Sequence, residues 1–414
     1  MGRLSRVRRP SEERAPVLLP LNEELRLYLL GDESVLFSKR SAQLYGLDRN
    51  ATRALLRIAE GHMPGEVRAR LEAAGRPGEL VEQLSGLLAG DEPGGESCQR
   101  RYHTELPCPR WPVTEPKAPV RYQLLDTILV VQAPEPFSSA CITPYVAHLA
   151  CSGRERLDLV ASIRENAGGW QLTLNGARQG GPLSPEQLIP LFYDRLRRFS
   201  YQTRPYLLAI HGSILERAGR ASLIVGRSGS GKSTLAAALL ARGYILVSDE
   251  PAVVDLSGDR VLAMPLGLGL KAGSWPTVAQ DYPGFDLAPT HIRFDGRQVR
   301  YLLPDLIRVA PNGERIAAAQ VLFPRYVPGV GGHCRRLSPV AALRAIVNSG
   351  YQVPDLEEER VNRIIAWLAD LSCYSLTYSS TAEALSFLTS IGHSVQGRER
   401  RAASGAARPA GGLE

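Results

Sequence analysis

Ala221-Ser222-Leu223-Ile224-Val225 runs straight into Gly226-Arg227-Ser228-Gly229-Ser230-Gly231-Lys232-Ser233-Thr234, and Leu235-Ala236-Ala237-Ala238-Leu239-Leu240 follows without a break. An apolar strand, G-x-x-x-x-G-K-[ST] and a strong helix former, in that order, predict a phosphate-binding loop. Glycines let successive backbone N–H groups turn toward an anion, and the helix N-terminus adds the positive end of its dipole. Lys232 can neutralise the β- and γ-phosphates of ATP, and the Ser233 hydroxyl can ligate Mg²⁺. A chance glycine-rich turn would lack one or both flanking elements.

Outward from the loop, Tyr244-Ile245-Leu246-Val247-Ser248-Asp249-Glu250 reads as an apolar strand ending in two carboxylates. An acid there can hold Mg²⁺ or accept the proton of an attacking hydroxyl. The bland alternative is a strand end with solvated acids. Upstream, His211-Gly212-Ser213 closes the apolar strand Tyr206 to Ile210. A lone histidine is more often structural than functional.

Lysine is scarce: of 49 Lys and Arg residues, only Lys39, Lys117, Lys232 and Lys271 are lysine. Where Arg is the default cation, a retained Lys suggests a need for a compact point charge, which marks Lys232 and Lys271.

The formal charge of +7 would suggest a nucleic-acid partner, but residues 1–14 carry five Arg against two Glu and residues 395–414 four Arg against two acids. Both tails read as solvated and leave a nearly balanced body, which argues against nucleic acid. No stretch approaches the roughly 18 apolar residues of a membrane span. The arginine-rich first twenty residues lack the apolar centre of a secretory signal, so a cytoplasmic location is expected. Cys98, Cys108, Cys141, Cys151, Cys334 and Cys373 form no CxxC pair and no Cys/His spacing, so reduced thiols are expected rather than zinc or disulfides.

Residues 15–90 read as a small α+β unit. Strands are expected at 17–20, 25–30 and 35–39, then a helix with Ala51, Leu55, Leu56 and Ala59 at helical spacing, Asn50 as N-cap and Gly61 at its end. Two further helices follow at 64–73 and 79–88. Residues 91–119 are Pro/Gly-rich and read as a linker. Residues 120–200 favour strands at 128–131, 157–163 and 170–174 before a helix at 185–199, and carry no motif. The phosphate-loop core occupies 201–391. In it a turn-rich stretch precedes a strand near 319–323, helices at 339–347 and 357–371, and a strand-helix pair at 373–388. The tail 392–414 is low in complexity and expected to be disordered.

His211-Gly212-Ser213, Gly226 to Ser233, Arg242-Gly243 and Ser248-Asp249-Glu250 together resemble the HPr kinase family, in order and spacing, over roughly residues 200–390. The resemblance implies an α/β, HPr kinase/PEP carboxykinase-like P-loop core and phosphoryl transfer from ATP to a hydroxyl. It makes Asp249 the general base, with His211 beside the γ-phosphate and Ser233, Glu250 and Asp249 as the Mg²⁺ set. Two departures stand out. Glu250 replaces the usual second Asp, and Pro265-Leu266-Gly267-Leu268-Gly269-Leu270-Lys271 lacks the family's arginine, so Lys271 is expected to supply that charge. HPr itself is therefore not the expected substrate. Gly267 to Ala272 also fits G-x-G-x-x-A, but Pro276 stops any long helix behind it.

Residues 15–90 resemble the winged-helix-like PqqD domain through Leu25 to Leu30, Val35 to Lys39, Leu44-Tyr45-Gly46-Leu47-Asp48 and Ala51 to Gly61. That implies capture of a leader peptide as an added strand on the sheet edge. A DNA-binding winged helix is the alternative, disfavoured by the mixed charges of 60–82. The fusion implies a cytoplasmic ATP- and Mg²⁺-dependent kinase acting on Ser/Thr-type hydroxyls of a ribosomally made peptide. The alternatives are a nucleotide-gated peptide chaperone and a kinase of a small-molecule hydroxyl. Members of the HPr kinase family can be homo-oligomers, though no stretch of this sequence marks an interface.

Overall fold

The apolar runs around the phosphate loop become adjacent strands because each is buried on both faces, as a covered sheet requires. The computed structural model describes residues 16–73, 79–89, 120–135, 137–152 and 156–389. The linker 91–119, the tails 1–14 and 392–414, and Cys98, Cys108 and Lys117 lie outside the described residues. The chain is mixed α/β, with four sheets among those residues.

The largest sheet runs in the order Ile245–Asp249, Gly212–Arg217, Arg220–Val225, Arg315–Tyr326, Arg260–Leu262, Ala252–Asp255, Tyr206–Ile210, Tyr351–Gln352, with Ser372–Tyr378 also paired to Arg315–Tyr326. Side chains alternate between two cores. Ile214, Leu223 and Val225 pack toward helices Pro339–Ser349 and Glu358–Asp370. Leu215 and Ile224 pack toward helix Lys232–Leu240 on the other face. A sequence reading that ends one strand at His211 misses the next. His211 is a bend, and Gly212–Arg217 is a strand of its own.

The stretch expected to be turn-rich holds a three-stranded sheet, Leu268–Lys271, Gln298–Leu302 and His291–Ile292. Its strands are two to five residues long, too short for a periodicity to register. Residues 120–200 form a six-stranded sheet packed on helix Pro185–Gln202. That helix lays Leu188, Ile189, Phe192, Tyr193 and Leu196 into a core shared with Met264, Leu266 and Tyr301. At this seam Tyr145 Oη and His291 Nε2 are 2.5 Å apart.

The N-terminal unit is a four-stranded antiparallel meander, with Gln43–Leu47 as a fourth strand beyond the three expected, followed by helices Arg49–Ala59, Pro64–Ala73 and Glu79–Ala89. Asp48, not Asn50, is the N-cap. Asp48 is extended, and its Oδ1 accepts from the amides of Asn50 (3.0 Å) and Ala51 (2.9 Å), whereas Asn50 is already helical. The unit is docked on the core. Tyr28, Val35 and Phe37 share one apolar cluster with Leu343, Ile346 and Trp367. Arg344 Nε donates to the Gly46 carbonyl at 3.0 Å, and Glu358 binds both Lys39 (2.6 Å) and Arg26 (3.1 Å).

Two outcomes follow. Phe37→Ala, at 1% exposure, is expected to cost about 3–5 kcal/mol in urea denaturation of the whole chain. Burial holds His291 below the ordinary histidine range, against a smaller upward pull from Glu186. The unfolded chain therefore binds the extra proton first as pH falls below about 6.5, and stability drops across that window. His291→Gln should flatten the drop; an unchanged slope of stability against pH would show that His291 does not contribute.

Candidate active site

Gly231 lies at φ +93° as N-cap of the loop helix, a left-handed conformation open to glycine at little cost. A Cβ there would collide with the Tyr378 hydroxyl, which donates to the Gly231 carbonyl at 3.2 Å. The neighbouring Ser230 carbonyl accepts from the Tyr326 amide at 3.0 Å. The loop is thus fixed from the ends of strands Arg315–Tyr326 and Ser372–Tyr378. Lys232, 5% exposed, folds back so that Nζ donates to the carbonyls of Gly226 (2.7 Å) and Arg227 (3.3 Å). Burial pulls its pKa down, as do Lys271 and Arg293, while Glu250 pulls it up.

The acid pair sits at the same end of the sheet. Asp249 is registered opposite Ser213, and Gly212 opposite Val225, the residue before the loop. Ser213 Oγ donates to Asp249 Oδ1 at 2.7 Å, and the Gly269 amide donates to Oδ2 at 2.9 Å. Burial raises the Asp249 carboxyl, Glu250 adds to the rise, and Arg197 with these two donors opposes it. A buried acid shifted toward neutrality suits proton acceptance.

Glu250 has the opposite surroundings. Its carboxylate lies 3.3 Å from His211 Nε2, 4.0 Å from Lys232 Nζ and 3.7 Å from Arg293 Nη1. Burial alone would raise it, but His211, Lys232, Arg293 and Lys271 together pull it down. Burial lowers the histidine's own pKa while Glu250 pulls it up, so the two groups favour each other's charged form against their common burial. Glu250 also has φ +31°, a strained backbone held at the site.

Lys271, from strand Leu268–Lys271, donates to Ser228 Oγ at 2.8 Å. The sequence-marked residues His211, Lys232, Asp249, Glu250 and Lys271 are thus brought around the loop of Gly226 to Thr234. Three further arginines reach the site without having been marked in the sequence. Arg293 and Arg297 arrive on the turn between His291–Ile292 and Gln298–Leu302, and Arg297 Nη1 donates to Ser228 Oγ at 2.8 Å. No local sequence signal separates them from the other arginines. Arg197, 7% exposed, donates to the Gly267 carbonyl at 3.3 Å and lies 5.1 Å from the Tyr193 ring centroid. A signal for Arg197 did exist: it stands four residues after Tyr193 and eight after Ile189, on the buried face of its helix.

Ser233, Asp249 and Glu250 offer hard oxygen donors of the kind Mg²⁺ takes, and the described residues hold no cluster of three or more His, Cys, Asp or Glu able to cage a metal alone. Their chemistry suits a Mg²⁺ carried in on a nucleotide's phosphates, which Ser233, Asp249 and Glu250 would be the side chains to hold.

Gly231→Ala is expected to lose about 1–2 kcal/mol of stability from its φ alone, read by urea denaturation. Adding Tyr378→Phe removes the hydroxyl clash but leaves the φ penalty, so it should restore only part of the loss.

No family model matches the chain, and no curated protein matches it significantly. Among solved structures, the HPr(Ser) kinase/phosphatase from Coxiella burnetii is similar to it over 46% of this chain and 98% of its own, at 13% identity and a TM-score of 0.22, a likeness too weak to carry an argument.

Proposed function

We propose that the chain is an ATP-dependent kinase of the HPr kinase type, transferring the γ-phosphoryl group to a Ser/Thr-type hydroxyl of a peptide recruited by a PqqD-like N-terminal unit. The reading rests above all on one observation: the strand register sets Asp249 beside the phosphate loop with a raised carboxyl, next to an ionised Glu250.

In this mechanism the acceptor oxygen forms a bond to the γ-phosphorus as the bond to ADP breaks, and the hydroxyl proton passes to Asp249. Lys232 offsets the charge growing between the β- and γ-phosphates, and Lys271 that on the transferred group. Ser213 and the Gly269 amide hold the Asp249 carboxylate in one orientation. His211, bonded through its amide to the Gly350 carbonyl at 2.9 Å, positions Glu250. Mg²⁺, when bound, would shield the phosphate oxygens.

Recruitment of a peptide is supported by the outer edge of the N-terminal sheet. Strand Val17–Pro20 pairs on one side with Leu25–Leu30, and Val17 and Leu18 are 49% and 38% exposed. The opposite edge is less suitable, since Arg344 occupies the Gly46 carbonyl. An added strand on Val17–Pro20 would supply main-chain bonds for affinity. Because the unit is docked on helices Pro339–Ser349 and Glu358–Asp370, it would present the peptide at a fixed angle.

One observation favours a second reading, a nucleotide-gated peptide chaperone. Both Asp249 oxygens already accept a hydrogen bond, and each of these donors lowers the carboxyl's pKa and so its strength as a base. Asp249→Asn separates the two. With isotope-labelled ATP and the precursor peptide, mass analysis should show transfer by the wild type, reduced about 10²–10⁴-fold in Asp249→Asn while nucleotide binding persists. Equal transfer by both chains would overturn the kinase mechanism.

A further inference from the structure

Arg293, Arg297 and Lys271 come from a small sheet that belongs to neither the phosphate loop nor the acid strand. Strand Gln298–Leu302 pairs with Leu268–Lys271 on one side and His291–Ile292 on the other, setting both Lys271 and His291 opposite Val299. The turn is closed by the Arg293 amide donating to the Arg297 carbonyl (2.8 Å) and the Gly296 amide to the Arg293 carbonyl (2.9 Å). One end of one sheet therefore delivers three cations to the loop.

Their partners are weak for such donors. Lys271 Nζ and Arg297 Nη1 both donate to the neutral Ser228 hydroxyl. Arg293 lies 3.7 Å from Glu250, and Asp295 is 3.9 Å from Arg293 and 3.8 Å from Arg297, all beyond hydrogen-bond distance. A phosphate oxygen would give these cations an ionised acceptor in place of a neutral hydroxyl, and the arginines a partner that suits their bidentate fork. Lys232, Lys271, Arg293 and Arg297 face Asp249, Glu250 and Asp295, so the basin keeps a positive surplus even with every carboxylate ionised, before the loop amides and helix dipole are added.

The surplus is also one-sided. The first half of the loop, Gly226 to Ser228, meets Lys232, Lys271 and Arg297. The second half, Ser230 and Gly231, meets Tyr326 and Tyr378, which carry no charge. The terminal phosphate of a nucleotide bears the greatest charge and belongs at the cationic end.

Resting on the nucleotide reading above, we infer that the turn Arg293–Arg297 is an arginine clamp in cis for the outermost phosphate, with Arg297 and Lys271 gripping it and Arg293 closing the basin beside Glu250. Discrimination of a nucleoside triphosphate from a diphosphate then resides on this hairpin, outside the phosphate loop.

The test compares Mg²⁺ complexes of a non-hydrolysable ATP analogue and of ADP by calorimetry on the full chain, with wild type, Arg297→Gln and Arg297→Lys. Arg297 is 56% exposed at its side chain, so its replacement does not threaten the core. The expected result is a loss of about ten- to hundredfold in affinity for the triphosphate with Arg297→Gln, unchanged ADP affinity, and partial rescue with Arg297→Lys. If Arg297→Gln weakens both ligands equally, or neither, the clamp is overturned while the nucleotide site stands. If the wild type binds neither ligand, the nucleotide reading falls and takes the clamp with it.

Discussion

Strand Gly212–Arg217 is hydrogen-bonded on both sides, and the site depends on that double pairing. On one side Gly212 faces Val225, so the phosphate loop leaves the sheet beside His211. On the other Ser213 faces Asp249, so the acid pair ends at the same level. A one-residue slip in either ladder would turn Ser213 or Asp249 to the opposite face. The register is guarded sterically as well, since a Cβ on Gly212 would come within 2.6 Å of the Ile224 carbonyl. Three separate short motifs thus meet at one end of the sheet.

The electrostatics follow from that convergence. Two neighbouring carboxyls experience opposite environments: Asp249 rises because burial and the Glu250 charge outweigh Arg197 and its hydrogen-bond donors, while Glu250 faces His211, Lys232, Arg293 and Lys271 and falls. One can accept a proton while the other stays charged, which is how a single site supports both proton transfer and cation binding. Glu250 combines a strained φ with a carboxylate set among His211, Lys232 and Arg293.

The loop, its strand and helix, and the acid strand were legible because each motif is local and its flanks obey the expected periods. The helices at 185–202, 339–349 and 358–370 were legible for the same reason. Strand Gly212–Arg217 was hidden because His211 bends an apolar stretch that contains no breaker other than Gly212. The three-stranded sheet was hidden because its pieces are short, and with it the approach of Arg293 and Arg297, which tertiary pairing alone decides. Asp48 displaced Asn50 as helix cap because the preceding strand runs to Leu47, one fact the helical spacing of Ala51 and Leu55 does not reveal. Helix Pro185–Gln202, packed on the middle sheet, carries Arg197 to the backbone carbonyl of Gly267, two residues before the amide that holds Asp249.

The most direct trial is a crystal structure of the chain with Mg²⁺ and a non-hydrolysable ATP analogue. The account predicts the β-phosphate seated on the amides leading into the Lys232 helix, with the γ-phosphorus turned toward the Asp249 carboxylate. A nucleotide bound elsewhere on the chain, or one whose outer phosphate points away from Asp249, would contradict it.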